Sequence, residues 1–114
     1  MSVDTGLITR DSGNKTVIEV DAQNVDYRNC ESLKSAVSQV LSEGKKLIVL
    51  NMSKVSFMDS SGLGVLLFCK RSCDEVGGNF SLCGLQGYVN NLVQLTKLNK
   101  AIPIFETEDE AVQA

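Results

Sequence analysis

The sequence predicts an α/β fold: one domain with a mixed central β-sheet of four to five strands packed against about four helices. Three observations predict it. Segments with helical spacing of apolar residues alternate with short strand-like runs, which is the order found in α/β domains. The runs in the middle of the chain are continuously apolar, as in strands that are buried on both faces. The length of 114 residues suits one domain, and no repeat or linker divides it.

The chain begins with a predicted β-hairpin. Residues 6–10 and 15–20 are rich in β-forming side chains, and they flank a cluster of turn formers at 11–14. Two such runs around a turn cluster favour an antiparallel pair of strands.

The next segment, from about Asp26 to Glu43, has the pattern of a helix. Asn24 or Asp26 could cap its beginning, and Gly44 favours its end. The apolar residues that share one face of this helix are Cys30, Leu33, Val37, Val40 and Leu41. A continuous apolar run at 47–52 then predicts a buried strand.

A second helix is predicted from about 60 to 76, where two glycines close it. The residues on its core-facing side are Leu63, Val65, Leu66, Cys69, Cys73 and Val76.

The C-terminal third contains two further strands and two further helices. They are a strand over 79–83, a helix from Gly87 to about Leu98, a strand over 101–105 and a short acidic helix over 106–112. Pro103 confines its strand to an edge of the sheet or to a strand start, because proline has no N–H to donate. Thr107 and Glu110 have the spacing of a capping box.

Composition argues against nucleic-acid and membrane binding. The chain has 11 basic and 14 acidic residues, for a formal net charge of −3, so it lacks the basic surface of a nucleic-acid binder. No apolar run approaches the roughly 20 residues that a membrane-spanning helix needs. The first six residues lack the layout of a signal peptide. We therefore expect a cytoplasmic protein.

The residue inventory also argues against an enzyme, a metal site or a cofactor. There is no histidine, so serine and cysteine nucleophile systems that depend on histidine cannot form within the chain. No phosphate-binding loop of the Gly-x-x-x-x-Gly-Lys-Ser/Thr kind is present. The four cysteines lie in apolar patterns, where free cysteine packs as a small hydrophobic residue.

A turn rich in polar and small residues precedes the second predicted helix. It contains Asp59, the adjacent hydroxyls of Ser60 and Ser61, and the glycines Gly62 and Gly64. The N-terminus of a helix stabilises negative charge, so this turn could hold a hydroxyl or a phosphorylated hydroxyl. The simpler alternative is a well-capped helix. On these grounds alone, either serine would serve.

Two features around the turn suggest that another protein approaches it. The two glycines are expected to leave the surface bare. Leu67 and Phe68 fall outside the core-facing side of the helix, nearer to Gly64 and Arg71. We expect Leu67, Phe68 and Arg71 to contact the partner; the alternative is that the C-terminal segment covers the two apolar residues.

Residues 55–64, Val-Ser-Phe-Met-Asp-Ser-Ser-Gly-Leu-Gly, resemble the signature of the STAS family, the domain of sulphate transporters and anti-sigma-factor antagonists. Residues 20–24 also resemble an early segment of that family. The order of elements is similar over residues 7–112, so the resemblance implies one STAS domain within 1–114.

The resemblance implies a stand-alone anti-sigma-factor antagonist. Ser60 would be phosphorylated by an anti-sigma factor with serine kinase activity, and a PP2C-type phosphatase would reverse the modification. The unphosphorylated form would bind the anti-sigma factor and release the sigma factor. Asp59 and Ser61 would shape the site, and the choice of Ser60 over Ser61 rests on the resemblance.

Two other functions remain open from the sequence. One is a STAS scaffold subunit of another signalling or transporter assembly. The other is a small nucleotide- or ligand-binding domain that uses the same helix N-terminus, although no glycine-rich phosphate loop supports it.

Overall fold

The computed structural model of the protein describes residues 6–114 and begins with the predicted hairpin. Strands β1 (Leu7–Ser12) and β2 (Lys15–Val20) pair antiparallel, with Leu7 opposite Val20 and Ser12 opposite Lys15. The turn has two residues rather than the predicted four, because the ladder continues through residues 11 and 12. Residues 1–5, for which the sequence predicts no signal peptide, lie outside the described part.

The central sheet is mixed and has five strands, as predicted. Its other strands are β4 (Leu47–Asn51), β6 (Asn79–Cys83) and β7 (Ile104–Phe105). The order across the sheet is β1-β2-β4-β6-β7, and every pair except β1 with β2 is parallel. Strand β7 begins directly after Pro103 and lies at an edge, as the proline predicts.

Two short strands are absent from the sequence-based prediction. They are β3 (Asn24–Val25) and β5 (Phe57–Met58), which pair parallel in a separate two-stranded sheet. Strands of two residues are too short to show periodicity, so only the tertiary pairing reveals them.

Four α-helices complete the fold within the described residues, as predicted. They are α1 (Cys30–Ser42), α2 (Ser60–Glu75), α3 (Gly87–Leu95) and α4 (Glu108–Gln113). A large apolar cluster joins one face of the sheet to α1, α2 and α3, through residues such as Leu33, Leu66 and Val93. A smaller cluster on the other face joins Val17 and Val49 to Ala111 of α4. The two faces differ because successive residues of a strand point to opposite sides.

The predicted start of α1 is wrong by four residues. Residues 26–29 form a turn, and neither Asn24 nor Asp26 caps the helix. The amide oxygen of Asn29 instead accepts a hydrogen bond from the backbone N–H of Asp26 at 2.9 Å. Gly44 follows the helix with φ of +85°, which confirms its predicted role at the end.

Two other predicted boundaries are corrected. Val76 lies beyond the end of α2 and is exposed, so it does not belong to the core-facing side. Helix α3 ends at Leu95 because Lys97 has φ of +62°, a left-handed conformation that interrupts the helix. The capping box at the start of α4 is confirmed: Thr107 Oγ1 accepts from the N–H of Glu110 at 3.2 Å.

The cysteines pack into the apolar interior. Cys69, Cys73 and Cys83 are buried, and Cys30 is half-buried against the main cluster. Burial raises the pKa of Cys69 and Cys83 to about 12 and that of Cys73 to about 11. These three side chains are therefore neutral thiols at physiological pH, which disfavours nucleophilic reactivity.

Within residues 6–114, no three or more His, Cys, Asp or Glu side chains form a group that could hold a metal ion. In the same residues, no helix has the length and apolar character needed to cross a membrane.

Core packing should dominate stability. Replacing the fully buried Leu66 by alanine should lower the free energy of unfolding by about 2–5 kcal/mol, because it leaves a cavity between α2 and the sheet. Leu95→Ala, at a position 81% exposed, should change it by less than about 0.5 kcal/mol. Urea denaturation of both variants checks this, and equal losses would contradict the assignment of the core.

Candidate functional site

The turn that precedes α2 is fixed by pairing with the segment between β2 and α1. Asn24 is opposite Phe57 and Val25 is opposite Met58 in the β3–β5 ladder. The N–H of Asp59 continues the pairing by donating to the carbonyl of Val25 at 3.4 Å. These hydrogen bonds therefore fix the turn around residue 59 beside residues 24–26.

Asp59 caps α2 with its carboxylate. Its backbone is extended, and its Oδ1 accepts a hydrogen bond from the N–H of Gly62 at 3.1 Å. The hydroxyls of Ser60 and Ser61 make no hydrogen bond within residues 6–114. Ser60 is exposed, whereas Ser61 is half-buried. The cap thus leaves both hydroxyls available, and Ser60 is the more accessible.

The two glycines of the turn have different roles. Gly62 is buried, and a Cβ there would lie 2.2 Å from Met58 Cγ and 2.5 Å from the carbonyl oxygen of Val25. Gly64 is exposed, and a Cβ there would meet no atom within 4 Å. The expectation that both glycines keep the surface bare is therefore wrong for Gly62, which instead allows close packing beneath the turn.

An exposed strip runs along α2 from the turn. Ser60, Gly64, Phe68 and Arg71 are all exposed, and their spacing places them on one side of the helix. Leu67 is half-buried and packs against the main cluster, so much of its surface is already covered. The sequence predicts that Leu67 and Phe68 share an outward position, but in the structure only Phe68 lies on the exposed strip.

Phe68 is exposed, with 37% of its surface accessible to solvent. The ammonium of Lys34, on α1, lies 5.1 Å from the centre of the Phe68 ring, within the range of a cation–π interaction. Helix α4 packs against the opposite face of the sheet through Ala111. The alternative that the C-terminal segment covers Phe68 is therefore wrong.

An aromatic pair lies beside the turn. The rings of Phe57 and Tyr88, at the start of α3, stack with centroids 5.6 Å apart and an interplanar angle of 1°. Both residues are exposed. No sequence pattern marks Tyr88, because its proximity to Phe57 depends on how the loop after β6 places α3 beside β5.

An ion pair between a buried carboxylate and an exposed arginine lies beside the turn, and no sequence pattern predicts it. Asp26 is only 4% exposed, and the guanidinium of Arg28 donates to it from Nη2 at 2.7 Å and from Nε at 3.2 Å. These hydrogen bonds hold the pKa of the Asp26 carboxyl below its ordinary value. The pKa of Arg28 is raised, chiefly by Asp26, with a smaller contribution from the charge of Asp59. The sequence does not reveal that Asp26 is buried, because this depends on tertiary packing around the turn.

One family model matches most of the chain: the STAS domain model aligns with residues 7–111. An anti-sigma F factor antagonist of Paenibacillus polymyxa is 37% identical over 65 residues, which span 57% of this chain and only 56% of that protein. A candidate anti-sigma factor antagonist of Thermotoga neapolitana is 30% identical over 98 residues, or 85% of this chain and 87% of that protein.

A solved structure has the same fold. The Bacillus cell fate determinant SpoIIAA in its phosphorylated form matches with a TM-score of 0.73 and 25% identity. The match covers 94% of this chain and 96% of that chain.

The two glycines give a matched pair of variants. Gly62→Ala should lower the free energy of unfolding by about 1–3 kcal/mol, because its methyl group would overlap Met58 and the backbone of Val25. Gly64→Ala should raise it by about 0.5–1 kcal/mol, because alanine favours a helix and meets no neighbour here. Thermal unfolding of both variants tests this, and a loss at Gly64 as large as at Gly62 would refute it.

Proposed function

The chain belongs to the STAS domain family, and we propose that it is an anti-sigma-factor antagonist whose binding is switched by phosphorylation of Ser60. The observation that carries this proposal is the free, exposed hydroxyl of Ser60 at the start of a helix already capped by Asp59. Relatives described as anti-sigma factor antagonists support the role.

The structure favours Ser60 over Ser61 as the acceptor of a phosphoryl group. A kinase has to reach the hydroxyl, and Ser60 is exposed whereas Ser61 is half-buried. Neither hydroxyl serves the helix, because the carboxylate of Asp59 already makes the capping hydrogen bond. Modification of Ser60 therefore breaks no contact of the fold.

The fold should tolerate the added charge. A phosphoserine carries about −1.5 to −2 charges at neutral pH. It would lie beside backbone N–H groups of Ser60 and Ser61 that donate no hydrogen bond within residues 6–114. These groups and the helix dipole stabilise an anion. The nearby carboxylate of Asp59 opposes this, so the local negative charge increases.

The same charge would prevent partner binding. A partner surface that accepts a neutral hydroxyl supplies no cation for the added dianion, and burying a charge that the partner does not pair costs about 2–5 kcal/mol. That cost corresponds to a loss of affinity of about 30-fold to several thousand-fold. Binding would thus be switched off by charge and bulk, without a change of fold.

The proposed partner is an anti-sigma factor with serine kinase activity, and a PP2C-type phosphatase would restore the binding form. The partner would contact Ser60 and the exposed strip of α2, with Gly64 allowing close approach and Phe68 and Arg71 supplying apolar and charged contacts. Unphosphorylated protein would occupy the anti-sigma factor and release the sigma factor in the cytoplasm. Direct binding of nucleic acid and catalysis by this chain have no part in the proposal.

Variants of the two serines test the assignment of the switch. Ser60→Ala should bind the anti-sigma factor but accept no phosphate, whereas Ser61→Ala should still be phosphorylated. Ser60→Asp should bind at least about tenfold more weakly, because it places a charge in the contact. Mass spectrometry after incubation with the kinase and calorimetry of binding provide the readouts. Phosphate found on Ser61 in the wild-type protein would overturn the assignment.

The exposed strip is tested separately. Phe68→Ala should weaken binding of the anti-sigma factor by about tenfold, as expected when an aromatic contact in an interface is removed. Leu95→Ala, which removes an apolar side chain from the exposed surface of α3, serves as the control and should bind normally. Unchanged affinity of Phe68→Ala would place the interface elsewhere.

A further inference from the structure

Arg28 lies in the segment that pairs with the turn at Ser60. The β3–β5 ladder aligns Val25 with Met58, and the N–H of Asp59 then donates to the carbonyl of Val25. The same carbonyl lies 2.5 Å from where a Cβ of Gly62 would be, so the first turn of α2 presses against this segment. Arg28 follows Val25 by three residues, and the charge of Asp59 is a minor contribution to the raised pKa of the Arg28 guanidinium.

The guanidinium is held along one edge. Nε and Nη2 donate to the buried carboxylate of Asp26, the latter at 2.7 Å. The side-chain amide of Asn24, oriented with its oxygen toward Arg28, accepts a further hydrogen bond from Nη2 at 2.8 Å. The ring of Tyr27 lies 5.9 Å from the centre of the guanidinium. Arg28 is thus oriented by neighbouring side chains although 61% of its side chain is exposed.

The other edge of the guanidinium is free. Nη1 donates no hydrogen bond to any residue in the described part of the chain. Arginine binds phosphate through charge-assisted hydrogen bonds from such an edge. The charged side chains of the two paired segments are Asp59, next to Ser60, and Asp26 and Arg28 on the facing segment. The charge of the Asp26 carboxylate is already balanced by Arg28. The free Nη1 donors of Arg28 would therefore face the phosphate.

We propose that Arg28 binds the phosphate of phosphorylated Ser60 through Nη1 while its other edge stays on Asp26. This inference rests on the proposed modification of Ser60 and extends it. Arg28 would act as a positioning residue that holds the phosphate against the helix start and offsets the charge of Asp59. The modified form would then be a defined state of the site rather than a mobile phosphate.

Phosphoserine introduced chemically or by genetic encoding at position 60 of the full chain tests the proposal without any kinase. The second pKa of the phosphate, measured by phosphorus NMR, should be about 0.5 to 1 unit lower in the otherwise unsubstituted protein than in Arg28→Gln, because a nearby cation favours the dianion. Arg28→Lys should restore part of the shift. Arg71→Gln, which removes an exposed arginine farther along α2, should leave the phosphate pKa unchanged.

Arg28→Gln leaves Asp26 buried without its cation and could impair folding. The double variant Asp26→Asn, Arg28→Gln removes both charges. The second pKa of its phosphate should also be higher than in the otherwise unsubstituted protein. Identical phosphate pKa values with and without Arg28 would overturn the proposal. Failure of the kinase to modify Ser60 would refute the proposed function but leave this measurement unaffected, so the two failures are distinguishable.

Discussion

The hydrogen bond from the N–H of Gly62 to the carboxylate of Asp59 is the interaction on which the site depends. A helix start needs a side-chain acceptor, and aspartate supplies it here. Had a serine hydroxyl been the cap, adding a phosphate to it would have changed the helix start itself. Because the capping side chain belongs to the preceding residue, the Ser60 hydroxyl makes no hydrogen bond in the described part of the chain. It can therefore be modified while α2 stays in place.

The cap is effective because tertiary contacts hold the turn in place. The β3–β5 ladder attaches it to the segment before α1, and Gly62 allows the first turn of α2 to pack against Met58 and Val25. Below it, α2 is anchored in the main apolar cluster by Leu66, Cys69 and Cys73. The outward side of the helix is therefore presented in one fixed orientation. A partner can recognise such a surface without ordering it first, which favours discrimination by a single charge.

The sequence predicts the parts of the fold that local patterns determine. The continuous apolar run of β4, the alternation of helices and strands, and the capping box at Thr107 all follow from short-range chemistry. The misses depend on tertiary contacts. Strands β3 and β5 exist only because they pair, and α1 starts late because the side chain of Asn29 binds the backbone of Asp26. Likewise, only the structure distinguishes the buried Gly62 from the open Gly64, and only the structure shows that Arg28 neutralises a buried carboxylate.

The central claim is that a charge on Ser60 changes recognition and leaves the fold intact. The most direct measurement compares the unmodified protein with the protein that carries phosphoserine at position 60, by amide NMR and by affinity for the proposed partner, an anti-sigma factor. The account predicts that spectral changes stay within about residues 24–29 and 57–64 while affinity falls by at least about 30-fold. Equal affinity of the two forms, or shifts spread through the central sheet, would contradict it.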